Sequence, residues 1–397
     1  MSLSQKSIQI IKSTVPVLEV HGVTITTTFY RNMFKANPQL LNIFNHSNQR
    51  EGKQQNALAN TVLQAAIHID KLNELNLAPI FHKHVALGVL PEHYPIVGSN
   101  LLGAIKEVLK DAATEDILGA WGEAYGVIAN AFIDAEAALY KVTEEQIGGW
   151  RDTREFIVDK KVDESSNITS FYFKPVDGKS IATYIPGQYI TIKVPLTLES
   201  GEQRTHIRHY SLSDTPSEQY YRISVKKENA LKESDPNGVV SNHLHANVKV
   251  GDKVLLSPPA GDYVVDQLAT NPILLISGGV GITPLLSMAK ATLVKQPERE
   301  ITFVHSSKNK QFQPFSNELS QLEKSNKVKV STIHSDTEGH ITKDKLSTLI
   351  DPSQIKNSKV YICGPVSFMS TINKQLNELG FPKENISYEI FGPLTNV

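Results

Sequence analysis

The chain contains one cysteine, Cys363. Intramolecular disulfides are therefore excluded, and so is an iron–sulfur cluster held by four thiolates of this chain. Net charge is nearly absent: 40 Lys and Arg stand against 41 Asp and Glu, a formal −1. That balance supplies no global basic field and argues against nucleic acid or an anionic membrane as a partner. No apolar run is long enough to span a bilayer, so no obligatory membrane insertion is expected. The N-terminal stretch MSLSQKSIQIIKSTVPVLEV lacks a continuous apolar core and a small-residue cleavage site. It reads as an amphipathic helix and not as a signal peptide. With so little cysteine, a cytoplasmic home is expected. Repeats and low-complexity segments are missing too. What is left is an ordinary globular composition, 40% hydrophobic and 20% charged over 397 residues, enough for two or three cores.

Periodicity divides the chain into segments of different class. Up to about residue 145 strand signals are weak and apolar residues recur at helical spacing. Ile8, Ile11 and Val15 fall on one face, and Val23, Thr27, Tyr30 and Phe34 on another. Pro16 suits the first turn of a helix. Further tracks run through Gln54, Leu58, Val62 and Ala65, through Leu77, Phe81, His84 and Gly88, and through Tyr94, Val97, Leu101 and Ile105. A last helix aligns Ile117, Trp121, Ala124, Ile128, Phe132, Glu136 and Leu139. The double glycine Gly148-Gly149 then ends the helical region. REFIVDKKV, ITSFYFKP, QYITIKV, YRISVKK and DKVLLSPP follow as short β runs divided by turn residues. Their spacing predicts an antiparallel β-barrel. From about residue 270, strands such as ITFVHSS, VKVSTIH and KVYICG alternate with helical stretches, the pattern of an α/β parallel sheet. The expected division is a helical domain over 1–147, a barrel over 148–267 and an α/β domain over 268–397.

The rear half carries several short motifs. GGVGITP, Gly278 to Pro284, follows a buried strand and opens a helix. Glycines there let the backbone approach a pyrophosphate, and the helix N-terminus favours its charge. Such a turn also serves plain tight packing, and Pro284 stands where a full dinucleotide fingerprint has another glycine. PGQYI and RHYSL lie upstream, CGP and YEIFGP downstream. Arg208 can pair with a flavin pyrophosphate, Tyr210 and Ser211 can meet the isoalloxazine, and Tyr189 can lie against it. The bland alternative makes Arg208 and Tyr210 ordinary barrel residues. In this order and spacing the set resembles the ferredoxin–NADP reductase superfamily over residues 151–397. The resemblance implies FAD in the barrel, held by Tyr189, Arg208, His209, Tyr210 and Ser211. It implies a nicotinamide cofactor at Gly279, Val280, Gly281, Ile282, Thr283 and Pro284, with Cys363, Gly364 and Pro365 near the nicotinamide. Glu389, Ile390, Phe391, Gly392 and Pro393 would close on the reacting centre, Phe391 nearest the flavin ring. For Cys363, packing as a small buried residue is expected to matter more than thiol chemistry.

In the helical front, an electron acceptor must be bound by side chains. The histidines there are His21, His46, His68, His82, His84 and His93. Haem needs one on an apolar helix face. His84 satisfies that period after Leu77 and Phe81, though most such histidines are core residues. Tyr30, Gln54 and Glu136 also occupy apolar tracks, where polar groups are costly unless hydrogen-bonded.

With FYRNMF, NIFNHSNQ, GKQQNAL, KH followed by LPEHY, AWGEAYG and NAFIDAEAALY, the whole chain resembles a flavohaemoglobin, a globin fused to an FAD- and NAD(P)H-binding reductase. The ten-residue step from His84 to Tyr94 sets the register of that resemblance. It implies haem b with His84 as the iron ligand, and Tyr94 and Glu136 in its proximal network. Tyr30 and Gln54 would donate to oxygen on the distal side, Leu58 would close the pocket and Phe44 would pack on the haem. Lys83 would face the flavin domain. Gly88 and Ala86 depart from the bulkier residues expected and should loosen the proximal helix. The implied activity is nitric oxide dioxygenation: NADH or NADPH reduces FAD, FAD reduces the haem iron, and bound oxygen converts nitric oxide to nitrate. The partners are then the small molecules oxygen and nitric oxide. A monomer is the expectation, and the distal pocket is open to a lipid or azole ligand. A general diaphorase or ferric reductase, and an oxygen or nitric oxide sensor or store, are the alternatives. A store needs no continuous reductant, so the flavin and nicotinamide motifs argue against it.

Overall fold

A computed structural model describes residues 3–43, 52–74, 76–197, 201, 203–230, 237–325 and 327–392. Phe44, His46 and Pro393 lie outside the described residues. Contacts divide the chain into two compact units. The first comprises Met1–Glu144 with Pro195–Ile207 and Gly392–Thr395, and the second holds the remainder.

The first unit is helical: α1 (Gln5–Ser13), α2 (Val15–Ala36), α3 (Lys53–Ile67), α4 (Ala78–Leu87), α5 (His93–Leu109) and α6 (Glu115–Glu145). Pro16 sits in the first turn of α2, as its missing N–H allows. The buried face of α2 is not the one predicted. Leu18, Gly22, Ile25, Thr26, Phe29, Tyr30 and Met33 are buried, whereas Val23 and Thr27 are exposed. Two tracks one position apart both have helical spacing, and the partner helix decides between them. Gly22 lies against Ala59 of α3, and the Thr26 hydroxyl donates to the Gln55 carbonyl at 2.9 Å. Tyr30 remains on the buried side because it borders both tracks. The core of this unit joins Ile11, Ile25, Phe29, Met33, Leu101, Ile105, Trp121 and Ala124.

Helix α4 also corrects an expectation. Gly88 does not loosen it but ends it. Its φ of +77° is a left-handed cap, from which its N–H reaches the carbonyls of His84 and Val85. Ala86 is the buried residue of that helix, where a larger side chain would have to displace the core.

The second unit contains two sheets. The first is six-stranded with strand order β4-β3-β6-β1-β2-β5. Its strands are β1 (Arg154–Ser165), β2 (Ile168–Pro175), β3 (Tyr189–Thr197), β4 (Gln203–Ser211), β5 (Tyr221–Lys226) and β6 (Lys253–Leu256), with Gln203–Ile207 of β4 and Pro195–Thr197 of β3 assigned to the first unit. The β1–β2, β1–β6, β3–β6 and β2–β5 pairs are antiparallel. An antiparallel bridge between Leu212 and Ile223 joins the ends of the strand order, as a barrel requires. Strand β4 carries the RHYS motif without apolar alternation; its residues are mostly polar and half-buried. Helix α7 (Val239–Ala246) packs on β5.

The second sheet is five-stranded and parallel, with strand order β11-β10-β7-β8-β9. Its strands are β7 (Ile273–Gly278), β8 (Ile301–Ser307), β9 (Val328–His334), β10 (Lys359–Cys363) and β11 (Ile386–Glu389). Helices α8 (Ile282–Lys295), α9 (Ser316–Glu323), α10 (Lys343–Leu349) and α11 (Val366–Leu379) cross between strands, after a single turn at Ser335–Glu338 in the case of α10. Strand order reverses direction between β7 and β10. Such a switch point opens a crevice at the carboxyl ends of the strands.

Candidate active site

In the helical unit, three predicted residues meet. His84 Nδ1 lies 2.7 Å from Glu136 Oε1, and the Tyr94 hydroxyl donates to the same oxygen at 2.6 Å. The Tyr94 oxygen is also 3.2 Å from His84 Nδ1. Glu136 is 3% exposed and therefore needs these partners. Burial, then its bond to Glu136, pushes the Tyr94 hydroxyl far above its ordinary pKa, so it stays a donor. The imidazole is packed against Phe132 at 5.7 Å between ring centroids. With Nδ1 engaged, Nε2 is the nitrogen left for a metal. The donor set thus fits haem iron: one imidazole, turned by a carboxylate, on the C-terminal half of a short helix.

Sequence reasoning missed the residues that brace this cluster. The Tyr125 hydroxyl donates to the Tyr94 carbonyl at 2.6 Å, and its ring fills the space left by Gly98. The Tyr140 hydroxyl donates to the Val89 carbonyl at 2.8 Å, tying α6 to the turn after α4. Both tyrosines sit in AWGEAYG and NAFIDAEAALY, and helical spacing from Glu136 would have found Tyr140. The other histidines do different work. His93 Nδ1 accepts from the Leu90 N–H at 3.0 Å, and His21 is exposed.

In the same unit, Tyr30 of α2 is buried, edge-to-face with Phe29 and stacked with Phe34. Burial raises its hydroxyl pKa, which keeps it protonated. Gln54 and Leu58 lie half-buried on α3. Lys83 Nζ donates to the Gly392 carbonyl at 3.3 Å, a residue of the same unit.

In the second unit, Tyr189 opens β3 and lies 4.9 Å from the His209 ring on β4. His209 Nδ1 is 2.8 Å from the Thr191 hydroxyl. The Tyr189 hydroxyl is buried and makes no hydrogen bond among the described residues. Burial, then Glu389 and Asp262, raises its pKa well above the ordinary value. A buried hydroxyl without a partner costs about 1–3 kcal/mol and fits a polar group arriving with a ligand. Arg208 and Tyr210 are half-buried and Ser211 is buried. Burial lowers Arg208 from its ordinary pKa and raises Tyr210.

The motif loops converge at the switch point. Cys363 pairs in register with Ser277 of β7 on one side and Glu389 of β11 on the other. Gly279 has φ +54°, and a Cβ there would meet nothing within 4 Å, so the loop offers an open backbone cradle. Gly281 is the opposite case: a Cβ would collide with the backbone of Cys363 and Gly364. Val280 is half-buried and accepts from the Thr283 hydroxyl at 3.0 Å, while Ile282 and Pro284 are buried in the first turn of α8. This geometry fits a dinucleotide pyrophosphate. Cys363 is fully buried, and burial raises its thiol pKa well above the ordinary value, which removes thiolate chemistry. Pro365 is exposed, Gly364 half-buried, Ile390 buried and Phe391 half-exposed.

Comparison with known proteins agrees with this layout. Residues 27–132 match the Globin family, 155–264 the oxidoreductase FAD-binding domain and 275–374 the oxidoreductase NAD-binding domain. Flavohemoprotein A of Dictyostelium discoideum is 90% identical over 397 residues, covering 100% of both chains. The chain belongs to the flavohaemoglobin (flavohemoprotein) family. Among solved structures, the flavohemoglobin of Malassezia yamatoensis with bound FAD and heme is 32% identical, with a TM-score of 0.85 over 99% of this chain and 100% of that one. The FAD/NAD-binding domain of the nitric oxide dioxygenase of Vibrio cholerae is 39% identical, with a TM-score of 0.55 over 61% of this chain and 100% of that one. This flavohaemoglobin is therefore an oxidoreductase with a globin domain, an antiparallel FAD-binding domain and a parallel-sheet NAD-binding domain. No helix among its described residues is long and apolar enough to cross a membrane.

Proposed function

We propose that this chain is a nitric oxide dioxygenase that uses NADH or NADPH, FAD and haem b to convert nitric oxide and oxygen to nitrate. The observation that carries it is the His84–Glu136–Tyr94 cluster on a chain that also has FAD- and NAD-binding domains. Haem supplies an iron for the two gases, the nicotinamide supplies hydride, and FAD divides that electron pair into the single electrons an iron accepts. One hydride thus serves two turnovers, each consuming one nitric oxide, one oxygen molecule and one electron and releasing one nitrate.

The chain's own residues do the rest. His84 holds the iron through Nε2. Glu136 accepts the Nδ1 proton's hydrogen bond, which makes the imidazole a stronger donor, and Tyr94 fixes that carboxylate. Tyr30 and Gln54 orient oxygen on the distal side, with Leu58 and Phe44 as apolar walls; a lipid or azole would occupy the same space. Lys83 works at the junction with Gly392. Arg208 neutralises the FAD pyrophosphate, and Tyr189, His209, Tyr210 and Ser211 line the flavin. Gly279 to Pro284 hold the nicotinamide dinucleotide, Cys363 to Pro365 flank its reactive ring, and Glu389 to Pro393 close over the reacting centre. The working division is 1–147, 148–267 and 268–397, and the expected state is a cytoplasmic monomer.

Absorption spectra of the purified protein test this, taken in air with and without NADH, together with nitric oxide consumption and nitrate yield. Haem and flavin bands with oxygen-dependent nitrate formation are expected. Flavin reduction without nitric oxide loss would leave the diaphorase reading in its place.

A further inference from the structure

The second unit contains a cluster of charged residues that the proposed chemistry does not use. Arg222 of β5 is 2% exposed. Burial works against its charge, but Asp214 and Glu318 outweigh it and hold its pKa above the ordinary arginine value. Its guanidinium meets Glu318 of α9 at 2.6 Å, the Ser213 carbonyl and, at 3.6 Å, the Asp214 carboxylate. Lys290 of α8 bridges the same two acids, meeting Glu318 at 2.6 Å and Asp214 directly. Burial alone would raise Asp214, but Arg222 and Lys290 outweigh it and hold its pKa below the ordinary carboxylate value. The hydroxyls of Tyr184 and Ser287 both donate to the Asp214 carbonyl at 2.6 Å, and Tyr220 donates to its carboxylate at 3.0 Å. Two cations and two anions thus meet directly, and a third carboxyl, Glu164, feels Arg222, Glu318 and Asp214, with burial and the two acids raising its pKa.

The position of this cluster gives it meaning. Asp214 lies three residues beyond Ser211, on the chain leaving the strand that carries Arg208 and Tyr210. Ser287 and Lys290 lie one turn apart on one face of α8, the helix that grows directly out of the Gly278–Gly281 turn. Strand β5 also packs against that turn. Two hydrogen-bonded contacts, Ser287 to the Asp214 carbonyl and Lys290 to its carboxylate, therefore clamp the candidate dinucleotide loop to the candidate flavin strand. Hydride transfer depends steeply on such placement, because the donor carbon and acceptor nitrogen must approach to about 3–3.5 Å.

We propose that Lys290, Asp214 and Glu318 are positioning residues for hydride transfer from nicotinamide to flavin, setting the distance between the two cofactor sites. This rests on the functional reading above. The step moves one hydride, as the nicotinamide C4–H bond breaks and a flavin N5–H bond forms, leaving oxidised nicotinamide and two-electron-reduced flavin.

The test uses the full-length, haem- and FAD-loaded protein, with anaerobic stopped-flow reduction of the flavin by NADH and by NADPH. A wild-type flavin that neither cofactor reduces removes the functional reading itself. Given a reducible flavin, Lys290→Met should lower the limiting reduction rate by ~10- to 100-fold. FAD content should be unchanged and the protein should stay folded at the assay temperature, with some fall in melting temperature because Asp214 and Glu318 each lose a cationic partner. The apparent dissociation constant for the nicotinamide should move far less than the rate. The deuterium isotope effect with 4-deuterated NADH should rise as hydride transfer becomes limiting. Lys290→Arg should restore most of the rate, and Glu318→Gln should repeat the loss in milder form. Limiting rates within about twofold of wild type in both Lys290→Met and Glu318→Gln would overturn the proposal. Loss of bound FAD or of thermal stability in place of the rate change would also overturn it, because the cluster would then be a folding element. So would an equal loss in Lys290→Arg.

Discussion

Glu136 Oε1 lies 2.7 Å from His84 Nδ1, across 52 residues of chain. The carboxylate is buried, so it cannot exchange this partner for water. A charge-assisted hydrogen bond of this kind fixes the ring's orientation and strengthens Nε2 as a ligand. His84→Ala should purify with FAD and without haem, read from the Soret-to-flavin absorbance ratio. Glu136→Gln should keep haem but lose the electron push. Its ferric/ferrous midpoint should rise, its iron–histidine stretching frequency should fall, and nitric oxide turnover should drop by about 10- to 100-fold. Full haem in His84→Ala, with loss in His82→Ala instead, would move the ligand.

The brace behind that cluster can be tested separately. A Cβ on Gly98 would stand 2.5 Å from the Tyr125 ring, whose hydroxyl donates to the Tyr94 carbonyl. Gly98→Ala should displace the ring and cost about 1–3 kcal/mol. Tyr125→Phe keeps the ring and loses only the hydrogen bond, about 0.5–1.5 kcal/mol. Unfolding followed at the Soret band should rank the two variants in that order. If Tyr125→Phe proved the more damaging, the hydroxyl and not the close packing would hold α5 to α6.

Where the sequence was legible, the signal was local. The helices of the front half, the strand-helix alternation of the rear and the turn at Gly278–Gly281 each follow from a short window. The face of α2 was not local, since Gly22 and Ala59 decide it from different helices. Strand β4 escaped notice because its pairing, not its composition, makes it a strand; Gln203 to Ser211 has no apolar alternation. His84 and Glu136 stand out by helical period alone, but their meeting with Tyr94 follows only from resemblance. The acid–base cluster was invisible, because Lys290 and Glu318 lie 76 and 96 residues from Asp214 and Arg222 and each reads alone as a surface charge.

His305 carries a pH prediction. It is fully buried in β8, with Nδ1 2.8 Å from the Ser277 hydroxyl. Burial, then the neighbouring His334, pushes its pKa from 6.5 down to about 3. Below pH 6.5 the unfolded chain binds a proton that the folded one refuses, so the stability due to a neutral His305 is complete above that pH. It is lost progressively as pH falls from 6.5 towards about 3. At ~1.4 kcal/mol per unit, about 2 kcal/mol should be gone at pH 5. His305→Asn, which can keep the bond to Ser277, should show a smaller fall in melting temperature between pH 7.5 and pH 5. Equal falls in both proteins would mean that His305 titrates normally.

Gly281 separates a cofactor loop from a mere turn. A Cβ there must push the Cys363–Gly364 backbone away, and this backbone flanks the candidate nicotinamide site. Gly281→Ala should cost about 1–3 kcal/mol. It should also slow flavin reduction by NADH, while the flavin and haem spectra stay those of the wild type. Unchanged reduction with lowered stability would leave Gly281 as a packing residue only.

Tyr30 gives the sharpest test of the proposed distal site. Its ring is fixed by Phe29 and Phe34, its hydroxyl is buried, and burial keeps it protonated. Such a donor favours a partner with partial negative charge, as oxygen has when held by ferrous haem. A hydrogen bond of that type is worth roughly 1.5–3 kcal/mol. At ~1.4 kcal/mol per factor of ten, Tyr30→Phe should speed oxygen dissociation by about ten- to a hundredfold. The substitution removes one oxygen atom and leaves the packing with Phe29 and Phe34 in place, so any loss of stability should stay within the worth of one hydrogen bond, about 0.5–1.5 kcal/mol. Nitric oxide turnover should fall most when oxygen is scarce, because escape of oxygen then competes with reaction. Stopped-flow mixing of the oxygenated ferrous protein with carbon monoxide measures the dissociation rate directly. A rate equal to wild type would make Tyr30 a core aromatic and leave Gln54 as the distal donor, which Gln54→Leu would then reveal.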